Sequence, residues 1–207
     1  TDAVQAVGHY KIDLKSIKLD FLSSAGHKFH GPKGVGFTYI NKSTKIKSFI
    51  CGGPQERGLR AGTESVHNIV GMTKALEIAE KNMEQEAEYV LSIKEYLINS
   101  LRKLFPDIHF NGESGNIKNS TYTILNVCLP ISNDKAAMLD FNLDLKGIAC
   151  SKGSACQSGS SEGSHVLSEI QSDDQKKFPS VRFSFSHNNR IDEVDYLMDT
   201  LKEFINS

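Results

Sequence analysis

Lys28 stands in the run Ser24-Ala-Gly-His-Lys-Phe-His-Gly-Pro-Lys-Gly34, between a strand-like stretch, Leu19 to Ser23, and a glycine-rich turn. A lysine amine that can shed its proton forms a Schiff base with an aldehyde. Most lysines are solvated surface groups, so the neighbours decide whether this one does chemistry. Asp2 and Gln5 lie one strand and one turn upstream. Pyridoxal phosphate asks a protein for an amine, for an acid that keeps its ring nitrogen protonated, and for donors to its phosphate. Lys28 can supply the amine and Asp2 the acid. Gln5 can donate to the phenolic oxygen of the ring, and His27 can reach the phosphate. Gly26, Gly31 and Gly34 let the backbone approach a bulky cofactor.

A second reactive candidate lies far along the chain. Cys156 sits among Ser151, Gly153, Ser154, Ser158, Gly159, Ser160 and Ser161. A structural cysteine favours packed apolar surroundings, whereas this stretch has little to bury and is expected to be mobile. A thiol that meets a substrate and hands an atom onward needs such mobility, and it must be a thiolate to act. Lys152 is the nearby base, with His165 further on. Arg182, in the apolar run Val181 to Phe185, is a planar bidentate donor suited to a carboxylate. Each of these residues also has an ordinary reading. Asp2 could be a surface acid, His27 a turn residue, and Arg182 the partner of a structural carboxylate.

The elements that must position these groups can be read from periodicity. Gly34 to Ile40 alternates with β-branched and aromatic residues and is expected to be a strand, followed by a turn at Asn41-Lys42. Ile46 to Ile50 is expected to return as a strand, and Cys51 to Gly62 to form a glycine-rich loop. Residues 65–105 carry helical spacing through Met72, Leu76, Ala79, Met83, Leu97, Leu101 and Leu104, ended by Pro106. A helix of this length is expected to break once, near the charged run Glu84 to Glu88. Short strands are then expected at Ile108 to Phe110, Tyr122 to Leu129, Gly147 to Cys150 and Val181 to Phe185. A helix capped by Asp134 should run to about Phe141, and an amphipathic helix should carry Ile191 to Ile205. The expected division is residues 1–90, carrying the lysine and the start of the long helix, and residues 91–207, a small domain carrying Cys156.

The 207 residues, 39% apolar and 24% charged with net charge −1, are those of an ordinary globular protein. Nothing in that balance points to nucleic acid, and no apolar run would span a bilayer. Cys51, Cys128, Cys150 and Cys156 show no Cys-x-x-Cys spacing, so no metal site is expected. The first three are expected to be small buried residues, reduced in a cytoplasmic protein.

Five motifs occur in one order: Asp2-Ala-Val-Gln5; His27-Lys28 with Gly-Pro-Lys-Gly; Gln55-Glu-Arg-Gly-Leu-Arg-Ala-Gly-Thr63; Gly153-Ser-Ala-Cys156; and Val181-Arg-Phe-Ser. In this order the sequence resembles the cysteine desulfurases, enzymes of the class V aminotransferase superfamily, in the subgroup with a long catalytic loop. The resemblance covers nearly the whole chain. It implies an α/β fold: part of the large-domain sheet of a fold-type I pyridoxal-phosphate transferase, then a small C-terminal α/β domain. It implies that Lys28 binds pyridoxal 5'-phosphate and shuttles protons, that Asp2 pairs with the ring nitrogen, Gln5 with the phenolic oxygen and His27 with the phosphate. Thr63 resembles a threonine that reaches the phosphate of the other subunit of a homodimer. Arg182 resembles the clamp for the α-carboxylate of L-cysteine. Cys156 resembles the residue that takes the sulfur as a persulfide, releases alanine, and passes the sulfur to an acceptor or scaffold protein, as in iron–sulfur cluster assembly.

The pattern departs in places. The family has a serine three residues before the lysine, where this chain has Ala25, and the adjacent Ser24 would point to the other side of its strand. Pro54 stands where a third glycine is common. The segments that precede the first motif in the family are not in this sequence, which is similar to the C-terminal part of such an enzyme. Two alternatives accompany the enzyme reading: an oligomerising or scaffold-binding fragment with its motifs unused, and a selenocysteine lyase-like activity.

Overall fold

The structure is a computed structural model, and it describes residues 1–151 and 164–206. Cys156, with the rest of residues 152–163, therefore lies outside the described residues. The chain divides into two compact units, Thr1–Gln85 and Glu86–Ser207.

In the first unit, β1 (Phe21–Ala25) and β2 (Gly36–Ile40) form an antiparallel pair, with Phe21 opposite Ile40 and Ala25 opposite Gly36. On β1, Leu22 and Ser24 are buried while Phe21 and Ser23 are exposed, the alternation a half-buried strand requires. Asp2 makes a parallel bridge to Ser23 on the other edge of β1. Leu22, Phe29, Ala3, Val7, Met72 and Ala79 form the core of this unit. The Ile46–Ile50 stretch is not a strand. Its apolar residues find nothing to bury against: Phe49 is 98% exposed and Ile50 half exposed. Cys51, at the end of that stretch, is exposed rather than buried.

The long helix α1 (Val66–Leu104) has 39 residues and is unbroken, contrary to the expected break near Glu84. Residues 84–88 are Glu, Gln, Glu, Ala and Glu, all good helix formers, with no glycine or proline to interrupt the ladder. The charge run is a solvated face, and Pro106 lies just beyond the end.

In the second unit, β3 (His109–Phe110), β4 (Ile124–Cys128) and β5 (Ser180–Ser184) make an antiparallel sheet in the order β3-β4-β5. Leu125, Val127, Val181 and Phe183 face the core. They pack with α1, through Ile93, Leu97 and Leu101, and with α2 (Asn133–Leu145) and α4 (Ile191–Asn206). The helices thus cover one face of the sheet. Asp134 is not the cap of α2. Ser132 holds that position with extended backbone, and Asp134 lies in the first turn, where its charge meets the positive helix end. α2 also runs past Phe141, to Leu145.

Lys135 ties α2 to α4 by donating from Nζ to the carbonyls of Phe204 and Ile205, among the last of α4. The expected strand at Gly147 to Cys150 is reduced to one bridge, Ser151 with Arg182. Gly147 has a left-handed backbone, φ 75°, which turns the chain out of α2 immediately before it. A short helix, α3 (His165–Ile170), was not legible from periodicity, since six residues carry too little pattern.

Candidate active site

The candidate lysine group is built at one end of β1. Because Asp2 pairs in parallel with Ser23, the segments that follow Asp2 and β1 leave the sheet on the same side. That edge is where open α/β sheets place their ligands. The segment after Asp2 is a helical turn, with Val7 N–H donating to Ala3 O at 2.9 Å. It presents Gln5 on the exposed side. The segment after β1 is a single 3-10 turn, Gly26–Phe29, which carries His27 exposed and Lys28 half-buried.

This turn is fixed by its backbone. Phe29 is buried in the core at 1% exposure, and His30 closes the turn in the left-handed region, φ 66°. His9 Nε2 bonds the Lys28 carbonyl at 3.0 Å, which joins the two turns. A Cβ at Gly31 would stand 2.9 Å from the Gly26 carbonyl oxygen, a rigid backbone group, so a larger residue would force the turn open. A Cβ at Gly8, φ 82°, would stand 2.5 Å from Phe29 Cβ. The backbone around Lys28 is thus determined, while its amine has no partner among the described residues.

Asp2 is exposed, and its Oδ1 accepts from the Val4 amide at 2.8 Å. That bond fixes the carboxylate without consuming it, since a carboxylate has further lone pairs. Ala25 is half-buried and supplies no donor. The neighbouring Ser24 is on the buried face, where its Oγ has no partner. An amine, a carboxylate, an amide and an imidazole are therefore carried on the segments that begin at Asp2 and at the end of β1, and this set of groups fits pyridoxal phosphate in its chemistry.

Thr63 lies in the glycine-rich loop of the same unit and is exposed. The loop is folded back on itself: Gly62 N–H donates to Gln55 Oε1 at 3.1 Å. Glu56 and Arg57 have left-handed backbones, φ 48° and 56°, an uncommon conformation for side-chain-bearing residues that costs on the order of 1 kcal/mol each.

The second unit holds Arg182, at the middle of β5. Its amide donates to Ser151 O at 2.7 Å, and its carbonyl accepts from Ser151 N–H at 3.2 Å. The residue that leads into the Cys156 stretch is thereby paired with the backbone of the arginine. The described residues that follow, from Ser164 on, are held by their own contacts. Ser164 caps α3 by accepting from Leu167 N–H, and Gln171 Nε2, just past α3, donates to Asn111 Oδ1 and Ser180 Oγ at 2.8 and 2.9 Å.

Arg182 lies on the sheet face opposite the apolar core, with Ser180 beside it along the strand and Asn126 across from it on β4. Its Nε is buried and without a hydrogen-bond partner among the described residues. No ion pair is made by its guanidinium among the described residues. A buried donor left open is costly, on the order of 1–3 kcal/mol, and it suits an anionic ligand.

Cys128 is a different kind of cysteine from the one expected on the Ser/Gly-rich stretch. It is buried, and its Sγ donates to Gln175 O at 3.3 Å. Burial pushes its thiol pKa up, against a smaller opposing effect of a hydrogen bond from Ser180, so it stays protonated and unreactive. No group of His, Cys, Asp and Glu that could hold a metal occurs among the described residues. No helix among them is long and apolar enough to cross a membrane.

Comparison with known proteins gives the same picture. A curated relative from Dictyoglomus turgidum, "Cysteine desulfurase IscS", is 40% identical over 206 residues, 99% of this chain and 51% of its own length. "Cysteine desulfurase" from Bradyrhizobium diazoefficiens is 39% identical over 208 residues, again 99% of this chain and 51% of the relative. The chain thus spans about half the length of the curated relatives it matches. Among solved structures, a "NifS-like protein" has a TM-score of 0.83 at 33% identity, covering 99% of this chain and 51% of that one. A NifS-like protein from Rickettsia africae has a TM-score of 0.81 at 26% identity, covering 100% of this chain and 53% of that one. The sequence model of the family described as Aminotransferase class-V matches residues 1–197. With its lysine turn, its acid-bearing edge and its arginine strand in the order of that family, the chain belongs to the class-V aminotransferases.

Proposed function

We propose that this chain carries the lysine and cysteine halves of a cysteine desulfurase, which takes sulfur from L-cysteine and leaves L-alanine. The structural observation that supports this reading best is the mutual pairing of Ser151 with Arg182. It attaches the root of the cysteine-bearing stretch to the residue best suited to hold the substrate carboxylate.

Pyridoxal phosphate, when bound, supplies an electron sink for charge developed at the substrate Cα. Lys28 would hold it through Nζ. Asp2 would hold the proton on the ring nitrogen, Gln5 would donate to the phenolic oxygen, and His27 would bind the phosphate. Thr63 would reach the phosphate in the other subunit of a homodimer. Lys28 Nζ also moves a proton to and from the substrate Cα. Arg182 orients the substrate by its carboxylate through two parallel N–H bonds. The Cys156 thiolate attacks the substrate sulfur: a new S–S bond forms, the substrate C–S bond breaks, and its electron pair takes up a proton at carbon. Alanine leaves and Cys156 keeps a persulfide. An acceptor or scaffold protein in the cytoplasm then takes the sulfur.

The test is mass spectrometry of Cys156 after incubation with pyridoxal phosphate and L-cysteine. One added sulfur on Cys156 is expected, absent in Cys156→Ser and absent in Lys28→Ala. Persulfide formation that survives Lys28→Ala would sink the assignment of the amine. Selenium removal from L-selenocysteine without sulfur removal from L-cysteine would move the reading to a lyase of that kind.

A further inference from the structure

The face of the second unit's sheet that carries Arg182 also carries a chain of side-chain amides that the mechanism above does not use. Gln171 Nε2 donates to Asn111 Oδ1 at 2.8 Å, and Asn111 Nδ2 donates to Asn126 Oδ1 at 2.8 Å. Asn111 Nδ2 also reaches Ser180 Oγ at 3.0 Å, and Gln171 Nε2 reaches the same oxygen at 2.9 Å. Asn111 is buried at 8% exposure. Ser180 Oγ sets the sense of both amides: with one hydrogen and two lone pairs, it accepts from Asn111 Nδ2 and Gln171 Nε2 together, which leaves the Asn111 oxygen to Gln171. The donors therefore all point one way, from Gln171 through Asn111 to Asn126. Asn126 accepts with its oxygen, so its Nδ2 is left as the free end of the chain, with no partner among the described residues.

Asn126 is the cross-strand partner of Arg182, and in an antiparallel pair such partners project from the same face. Arg182 carries a buried Nε that has no hydrogen-bond partner among the described residues. Two open donors, one cationic and one neutral, thus stand side by side on β5 and β4. Arginine alone takes a carboxylate through two parallel N–H bonds and leaves lone pairs on both oxygens. A neutral donor next to it fills one of those without adding charge.

We propose that Asn126 is a second donor to the substrate α-carboxylate at Arg182, turned toward it by the directed chain from Gln171 and Asn111. The proposal rests on the reading of Arg182 as the carboxylate clamp. Gln171 and Asn111 are positioning residues and touch no ligand. Gln171 follows α3 directly, so the same amide that orients Asn126 also secures the end of α3 to the sheet.

The experiment is a titration of the 15N-labelled 207-residue chain with L-alanine, which carries the α-carboxylate and has no sulfur to react. The side-chain signals of Arg182 Nε–H and Asn126 Nδ2–H₂ are followed together. Both should move with one dissociation constant, and ethylamine, lacking the carboxylate, should move neither. Asn126→Asp, which sets a carboxylate against the ligand's own, should weaken binding by more than about tenfold, the scale of a hydrogen bond to a charged group. Gln171→Leu should shift the Asn126 signals before any ligand is added, then weaken binding by a smaller factor. A purely structural role would leave the Asn126 signals unmoved by L-alanine. If Arg182 responds and Asn126 does not, the second-donor proposal falls while the clamp stands. If neither responds, the clamp itself falls and takes the proposal with it.

Discussion

The two units carry their candidate residues on very different foundations. The second unit has a three-stranded sheet covered by helices, and its core is filled by large aliphatic residues such as Leu97, Leu101, Leu125, Leu139 and Leu201, each at 0–1% exposure. The first has a two-stranded sheet whose core includes Ala3, Ala79 and Val7 beside Leu22 and Phe29. It leaves Phe49, Val66 and Val70 more than half exposed. A two-stranded pair is marginal on its own, whereas three strands under a helical layer are self-sufficient. Arg182 is thus placed on a rigid sheet. The lysine turn depends on a few contacts: the buried ring of Phe29, the bond from His9, and the close approach of Gly26 to Gly31.

This contrast can be broken by truncating one core residue in each unit. Leu125→Ala should cost about 4 kcal/mol, near the top of the usual range, because its neighbours are held on all sides and cannot collapse. Leu22→Ala should cost about 2 kcal/mol, near the bottom, since the thinner core around it can relax. Native-state hydrogen exchange at the amides of β4 and of β1 reads each unit separately. Equal losses in the two would mean that the first unit is packed as rigidly as the second.

A smaller effect sharpens the account of the second unit. Lys94 is fully buried on the inner face of α1, where Nζ donates to Ser120 Oγ and Thr121 O at 2.7 and 2.8 Å. No carboxylate pairs with it among the described residues. Burial lowers its pKa below the ordinary 10.5. Below the folded value the amine is protonated in both states, and the folded state bears the whole cost of burying the charge. Between the folded value and 10.5 the unfolded state binds more protons, so stability rises with pH across that window. Compared with Lys94→Met, the native chain should therefore gain stability as pH climbs toward 10.5, by less than either truncation costs. A difference flat with pH would mean that Lys94 is not desolvated.

Much of this organisation is legible from residue order, and the failures have physical causes. The long helix, the strands around Lys28 and the strand of Arg182 follow from periodicity and from punctuation by glycine and proline. The break expected in α1 does not occur, because a run of glutamates repels only weakly in water and each is a good helix former. The strand expected at Ile46 to Ile50 is absent because β-propensity needs a neighbour to pair with, and none is offered there. The amide chain through Asn111, Asn126 and Gln171 joins residues up to 60 positions apart, which no local pattern reveals. One sign was present: Asn126 interrupts the apolar run Ile124-Leu-Asn-Val-Cys128, and a polar residue inside a strand asks for a partner.

The central claim is that Lys28, among 24 lysines and arginines, is the residue whose amine meets the cofactor. It is tested most directly by mixing the protein with pyridoxal phosphate, reducing with borohydride, and mapping the modified lysines by peptide mass spectrometry. The account predicts a pyridoxyl group on Lys28 at stoichiometric cofactor, lost in Lys28→Ala and weakened in Asp2→Asn. A label spread over exposed lysines such as Lys11, Lys15 and Lys33, with Lys28 unmodified, would contradict it.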